Sequence, residues 1–239
     1  MFEKQMIIAH RGASGDYHEN TIEAFIEAIN VGADAIELDV RKTKDNKIII
    51  SHDDNIDGIK LDSLDYNEIL EVSSSKGFIV PTLEEVLKLC QGKILLDIEL
   101  KEEGYEEEVI SLIKKYLEYN EFFIRSFIDR QVRIVKKIDS KIKTGLLLGV
   151  GNPKYGFLTR LSELFPIFRI IRTKPNFISP HYRLMKFGYT KRMHLLKKPV
   201  IVWTVNDENL INKFLFKHKV DGLITDYPKL AINIQKNAD

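Results

Sequence analysis

Three observations predict an α/β chain folded as a (β/α)8 TIM barrel with a small antiparallel ribbon and loop insertion after the second strand. Eight short apolar runs alternate with longer amphipathic segments from one end of the sequence to the other. The length of 239 residues is near the roughly 250 of such barrels. No stretch rich in Pro, Gly or Ser divides the chain, so residues 1–239 read as one domain.

The first run, Met6–Ala9, ends at His10-Arg11-Gly12. Asn20-Thr21 offers an N-cap for a helix reaching Gly32. The second strand, Ala33–Val40, carries Glu37-Leu38-Asp39. Lys47–Ser51 is also strand-like, yet Thr43 to Asn46 is far too short for a parallel crossover of about a dozen residues. It must return antiparallel, with Asp45-Asn46 as a two-residue turn. That register sets Lys44 against Lys47 and Asp39 against His52. Asp54–Lys76 reads as loop and a short helix over the barrel mouth. Pro81-Thr82 opens a helix with Leu83, Val86, Leu87 and Cys90 at helical spacing. The remaining strands are Lys93–Leu100, Glu121–Phe127, Lys143–Leu148, Asn176–Ser179, Pro199–Val205 and Gly222–Thr225. Helices fall near Glu106–Tyr119, Arg130–Ile138, Leu184–Leu196, Asp207–Lys217 and Lys229–Lys236. A further helix lies within Tyr155–Arg172, where Pro166 interrupts. Two readings stand for that segment: a bent helix packing the aromatic side that carries Phe157, Phe165 and Phe168 on the barrel, or a basic, aromatic lid or membrane-touching surface, with transient membrane contact.

Lys plus Arg number 36 and Asp plus Glu 35, a net charge of +1 that gives nucleic acid no bulk attraction. Any affinity for phosphate is local. No apolar stretch approaches the roughly 20 residues of a membrane span, and Met1 to Met6 shows no signal-peptide core. Cys90 is the single cysteine, which excludes an internal disulfide and fits a reducing compartment; the expected location is cytoplasmic.

Residues two apart on a strand face the same side. Glu37 with Asp39, and Glu99 with Lys101, therefore each aim a pair of charged side chains at one space. Charges ending apolar strands suit an active site at a barrel mouth. Glu37, Asp39 and Glu99 would resist ionising together unless a cation compensates them. Oxygen ligands with open water positions suit Mg2+ or Ca2+, whereas no Cys cluster or spaced His set points to zinc. His10 and His52 are the acid–base candidates, since imidazole titrates near neutrality. Arg11 and Lys101 are cations able to hold a substrate phosphate. Trp203, followed by Thr204 and Asn206, either walls the pocket against a substrate carbon chain or is barrel core. His18, His181, His194 and His218 read as structural, with His181 the first to reconsider.

These stretches resemble the glycerophosphodiester phosphodiesterase family. His10-Arg11-Gly12, Glu19-Asn20-Thr21, Glu37-Leu38-Asp39-Val40, His52-Asp53, Pro81-Thr82-Leu83, Glu99-Leu100-Lys101, Ser126-Phe127, Trp203-Thr204-Val205-Asn206 and Gly222–Pro228 follow the family's order from end to end. The resemblance implies a divalent-cation-dependent barrel that hydrolyses a small-molecule glycerophosphodiester to an alcohol and glycerol 3-phosphate. It implies Glu37, Asp39 and Glu99 as metal ligands, His10 and His52 as general base and acid, and Arg11 and Lys101 on the phosphate. Asn55–Asp62 stands where the family commonly has Arg-Thr-Thr and a glycine-rich run, and Gly149–His181 is atypical; both bear on substrate preference. A lipid-directed phosphodiesterase, acting on lysophospholipids or phosphoinositides, is the alternative on the same barrel.

Overall fold

The structure, a computed structural model, describes residues 4–149, 151 and 156–237. Its strands are β1 (Met6–His10), β2 (Ala35–Lys42), β3 (Ile48–Ile50), β4 (Asn55–Ile56), β5 (Ile59–Lys60), β6 (Leu95–Leu100), β7 (Phe122–Ser126), β8 (Thr144–Leu148), β9 (Phe177–Pro180), β10 (Ile201–Val202) and β11 (Gly222–Thr225). The helices are α1 (Ile22–Asn30), α2 (Tyr66–Ser75), α3 (Leu83–Cys90), α4 (Glu106–Ile113), α5 (Asp129–Ile138), α6 (Gly156–Leu164), α7 (Ile167–Thr173), α8 (Tyr189–Leu195), α9 (Glu208–Asn212) and α10 (Pro228–Lys236). Eight parallel strands form the order β10-β11-β1-β2-β6-β7-β8-β9. Parallel bridges at Ile178–Val200 and His181–Trp203 join β9 to β10 and nearly close the ring. This is the expected barrel.

Local chemistry fixes the helix starts. The Thr21 hydroxyl accepts from the Ala24 N–H, and Thr82 with Glu85 forms a reciprocal capping box. Pro228 opens α10, where its missing N–H costs nothing.

Two expectations about connections need correction. The β2–β3 turn is a three-residue loop, not a two-residue one. Thr43 N–H donates to the Lys47 carbonyl at 3.0 Å, and Asn46 sits at φ 64°. An asparagine in the left-handed region closes such a loop with a local bulge. Pairing is Val40–Ile50 and Lys42–Ile48, and the Ser51 N–H donates to the Asp39 carbonyl. Ser51, rather than His52, lies opposite Asp39; a slip of one residue exchanges the faces. The second correction concerns Tyr155–Arg172. Tyr155 lies outside the described residues, and the rest forms two helices, α6 and α7, separated at Pro166. Phe157 and Phe168 are 78% and 74% exposed, so the bent helix packed by its aromatics on the barrel is not found.

The lumen divides into two halves. Met6, Ile8, Ala35, Phe123, Phe177, Ile201 and Ile224 fill its lower part, with Phe123 meeting Phe177 edge-on at 5.0 Å. Gly145 makes room for the Phe177 ring, which would lie 2.3 Å from a Cβ there. Going up the same strands by steps of two, the inward side chains become His10, Glu37, Asp39, Asp97, Glu99, Arg125 and Ser179. The hydrocarbon floor ends where the charges begin.

Candidate active site

The segment leaving β1 builds the first wall. Arg11 and Gly12 adopt φ 56° and 83°, turning the chain back against α1. The turn directs the Arg11 N–H to Glu37 Oε2 at 3.0 Å, while the Arg11 carbonyl accepts from the Asn20 N–H at 2.9 Å. A Cβ on Gly12 would lie 2.7 Å from the backbone carbon of Ala24. Gly12→Ala is expected to destabilise the fold by about 1–3 kcal/mol from overpacking alone, before left-handed strain is added. Thermal denaturation of the purified variant checks it, and an unchanged midpoint would remove the steric argument.

Sheet register brings the carboxylates together. Asp39 on β2 is the direct neighbour of Glu99 on β6, and Glu37 lies between His10 and Asp97. One oxygen each from Glu37, Asp39 and Glu99 lies within 4.8 Å of the others, and the three residues are 1%, 1% and 5% exposed. Three cations compensate them. Lys101 Nζ is 2.8 Å from Glu99 Oε1 and 3.3 Å from Asp39 Oδ1. Arg11 Nε is 3.2 Å from Asp39 Oδ2, while its Nη1 reaches Glu19 at 2.6 Å. From below, Arg125 reaches Glu37 Oε1 at 2.9 Å, Asp97 Oδ1 at 3.0 Å and Ser179 Oγ at 3.1 Å.

The protonation pattern follows from these neighbours. Burial alone would raise Asp39, but Lys101, Arg11, His52 and the Asn20 amide outweigh it and hold the carboxyl below its ordinary range. Burial raises Glu99, and Lys101 only partly offsets it. Burial also pushes Asp97 well above the carboxylate range; Arg125 opposes this, and the charges of Glu37, Glu99 and Asp39 reinforce it. A crowded, buried set of oxygen donors with so little solvent fits a hard divalent cation. Asn20 strengthens the fit: its nitrogen donates to Asp39 Oδ2 at 3.0 Å, and its buried Oδ1 receives no hydrogen bond.

The two histidines sit differently. His10 Nδ1 is 2.6 Å from Asp226 Oδ1, just past β11, and its Nε2 is 3.9 Å from Glu37 Oε2. A proton on Nδ1, donated to Asp226, leaves Nε2 as a free base toward the carboxylates. Burial would raise Asp226, but His10, the Asn206 amide and the Ser14 hydroxyl outweigh it and lower the carboxyl. His52 lines a cleft of about 320 Å³ with Glu19, Asn20, Ser51 and Asp53. Its Nδ1 lies 2.8 Å from Asp53 Oδ1, and Arg41 grips its carbonyl with two donors at 3.0 and 2.8 Å. Trp203 caps the lumen. Its Nε1 donates to the Ser179 carbonyl at 2.8 Å, and its ring meets Phe127 and His181 edge-on at 5.5 and 4.9 Å. It is partly buried and packs against the lumen core.

His10, Arg11, Glu37, Asp39, Glu99 and Lys101 meet in one cluster at strand C-terminal ends. His52 lines the neighbouring cleft, Trp203 packs over the lumen core, and His194 lies apart, paired with Asp221. Arg125, Asp97, Asp226 and Arg41 were not singled out for a role. Asp97 and Arg125 carried the same signal as Glu99, a charge inside an apolar run with period two.

Residues 10–230 match the glycerophosphoryl diester phosphodiesterase family. The Bacillus subtilis protein YhdW is 35% identical over 97% of this chain and 98% of its own. A glycerophosphodiester phosphodiesterase of Caldanaerobacter subterraneus subsp. tengcongensis is 32% identical, over 97% of this chain and 98% of its own. Among solved structures, the Thermotoga maritima glycerophosphodiester phosphodiesterase superposes with a TM-score of 0.80 at 26% identity, covering 98% of this chain and all of that one. An Oleispira antarctica phosphodiesterase in complex with the product sn-glycerol-3-phosphate gives 0.83 at 22% identity, covering 97% and 96%.

Proposed function

The chain belongs to the glycerophosphoryl diester phosphodiesterase family, and we propose that it hydrolyses water-soluble glycerophosphodiesters to an alcohol and glycerol 3-phosphate by divalent-cation-assisted acid–base chemistry. One observation carries this reading: three buried carboxylates from two strands meet beside a histidine whose far nitrogen is fixed by Asp226.

Glu37, Asp39 and Glu99 would hold Mg2+ or Ca2+. When bound, such an ion polarises the phosphodiester oxygens and eases charge build-up at phosphorus. Arg11 and Lys101, at the same rim, bind the phosphate and carry part of that charge. His10 Nε2 takes the proton of the attacking hydroxyl, either from water directly or from the substrate's own glycerol 2-hydroxyl, in which case water then opens the cyclic phosphate to glycerol 3-phosphate. Asp226 keeps the imidazole in the required tautomer and steadies the imidazolium that forms. His52, oriented by Arg41 and Asp53, protonates the leaving alcohol. Trp203 packs against the substrate's carbon chain. Among the described residues no helix is long and apolar enough to cross a membrane.

The direct test incubates the protein with glycerophosphocholine, glycerophosphoethanolamine and glycerophosphoglycerol and measures glycerol 3-phosphate. Activity should vanish on exhaustive chelation and return with added Mg2+ or Ca2+. Full turnover in chelator would overturn the cation assignment, and no product from any diester would overturn the reaction.

A further inference from the structure

Helices α6 and α7 turn outward the side chains that a barrel helix ordinarily packs inward. Phe157, Leu158 and Leu161 on α6, and Ile167, Phe168 and Ile171 on α7, are all exposed. Phe165 and Phe187 extend the patch: Arg192 lies 4.6 Å over the Phe165 ring and donates to the Phe187 carbonyl at 3.1 Å. A soluble domain rarely leaves so large a group of apolar side chains uncovered.

Charge is segregated onto the same stretch. From Gly156 to Lys198 ten Lys and Arg accompany one acid, Glu163, which is 0% exposed. That is a formal +9 in a chain of net +1, so the remaining residues are negative by 8. Arg172, Lys174, Arg183, Lys186, Lys191 and Lys197 are exposed. The patch also borders the barrel mouth. Gly149, the first residue past β8, donates its N–H to Glu163 Oε1 of α6 at 2.8 Å.

We propose that this face docks on an anionic lipid bilayer, lowering the aromatic ridge of α6 and α7 into the interface while the flanking Lys and Arg meet acidic headgroups. An apolar ridge rimmed by cations has the two attractions that surface binding combines. Charge decides between a bilayer and a second copy of the chain. A two-fold dimer through this face would press the exposed Lys and Arg of one copy against those of the other, whereas acidic headgroups neutralise them. The face shares no residue with the catalytic machinery proposed above, so the two readings fail independently.

The test sediments the full chain with vesicles of equimolar phosphatidylcholine and phosphatidylglycerol, and with phosphatidylcholine alone. Partition onto the anionic vesicles should exceed that onto neutral ones by about tenfold or more and fall as salt is raised. The double variant Phe157→Ser, Phe168→Ser should lose about tenfold in partition while hydrolysing a water-soluble glycerophosphodiester at the parental rate. No sedimentation, equal sedimentation with both lipids, or undiminished binding by the double variant overturns the proposal. So does a dimer in solution that the double variant abolishes.

Discussion

Arg125→Met should cost about 3–5 kcal/mol of folding free energy, because it leaves the buried Glu37 carboxylate without the cation paired to it from below. Arg125 is 2% exposed and spans Glu37, Asp97 and Ser179 in the lumen. Against a total stability of roughly 5–15 kcal/mol, such a loss brings the chain near the unfolding threshold. Denaturant melts followed by circular dichroism measure it. Asp97→Asn is the informative partner. Burial and its acidic neighbours already favour the neutral form of Asp97, so an amide of the same shape should cost far less. If both variants melted at the parental midpoint, the electrostatic account of the lumen would be wrong.

His10→Ala should lower kcat by about 10²–10⁴ with KM for glycerophosphocholine little changed, since the proposed phosphate ligands Arg11 and Lys101 stay in place. Asp226→Asn should act through His10: the amide offers Nδ1 a donor or a neutral acceptor, and the imidazolium loses the carboxylate facing it at 2.6 Å. The expected signature is a kcat loss together with a displaced acid limb in the pH–rate profile. A merely structural Asp226 would lower the melting midpoint without moving that limb. Steady-state rates at saturating cation separate these outcomes, and an unchanged kcat for His10→Ala would remove it from the chemistry.

Much of this was legible before any coordinates. Eight parallel strands announce themselves because each is an apolar run buried on both faces. The carboxylate cluster was legible because period two places Glu37 with Asp39 and Glu99 with Lys101. The β2–β3 register was not, since it turns on Asn46 entering the left-handed region, a choice between loop types that differ by one residue. Nor was the role of Asp226, whose meaning depends on β1 and β11 pairing across the whole chain, Ala9 beside Thr225. Phe157 and Phe168 misled in the opposite sense: aromatic residues at helical spacing ordinarily mark a core, and nothing local says which side of α6 faces the barrel. The surrounding excess of Arg and Lys was the better guide to that side.

The rings of Phe123 and Phe177, interlocked beneath the charges with Gly145 giving way to them, turn the barrel into a blind vessel. Water, diester and both products would reach the carboxylates from the mouth side, above that floor. Turnover on such a plan is a one-door traffic problem: the spent phosphate has to withdraw before its successor can be seated. Glycerol 3-phosphate should accordingly compete with fresh diester for the same berth, as a product inhibitor that raises the apparent KM without lowering kcat.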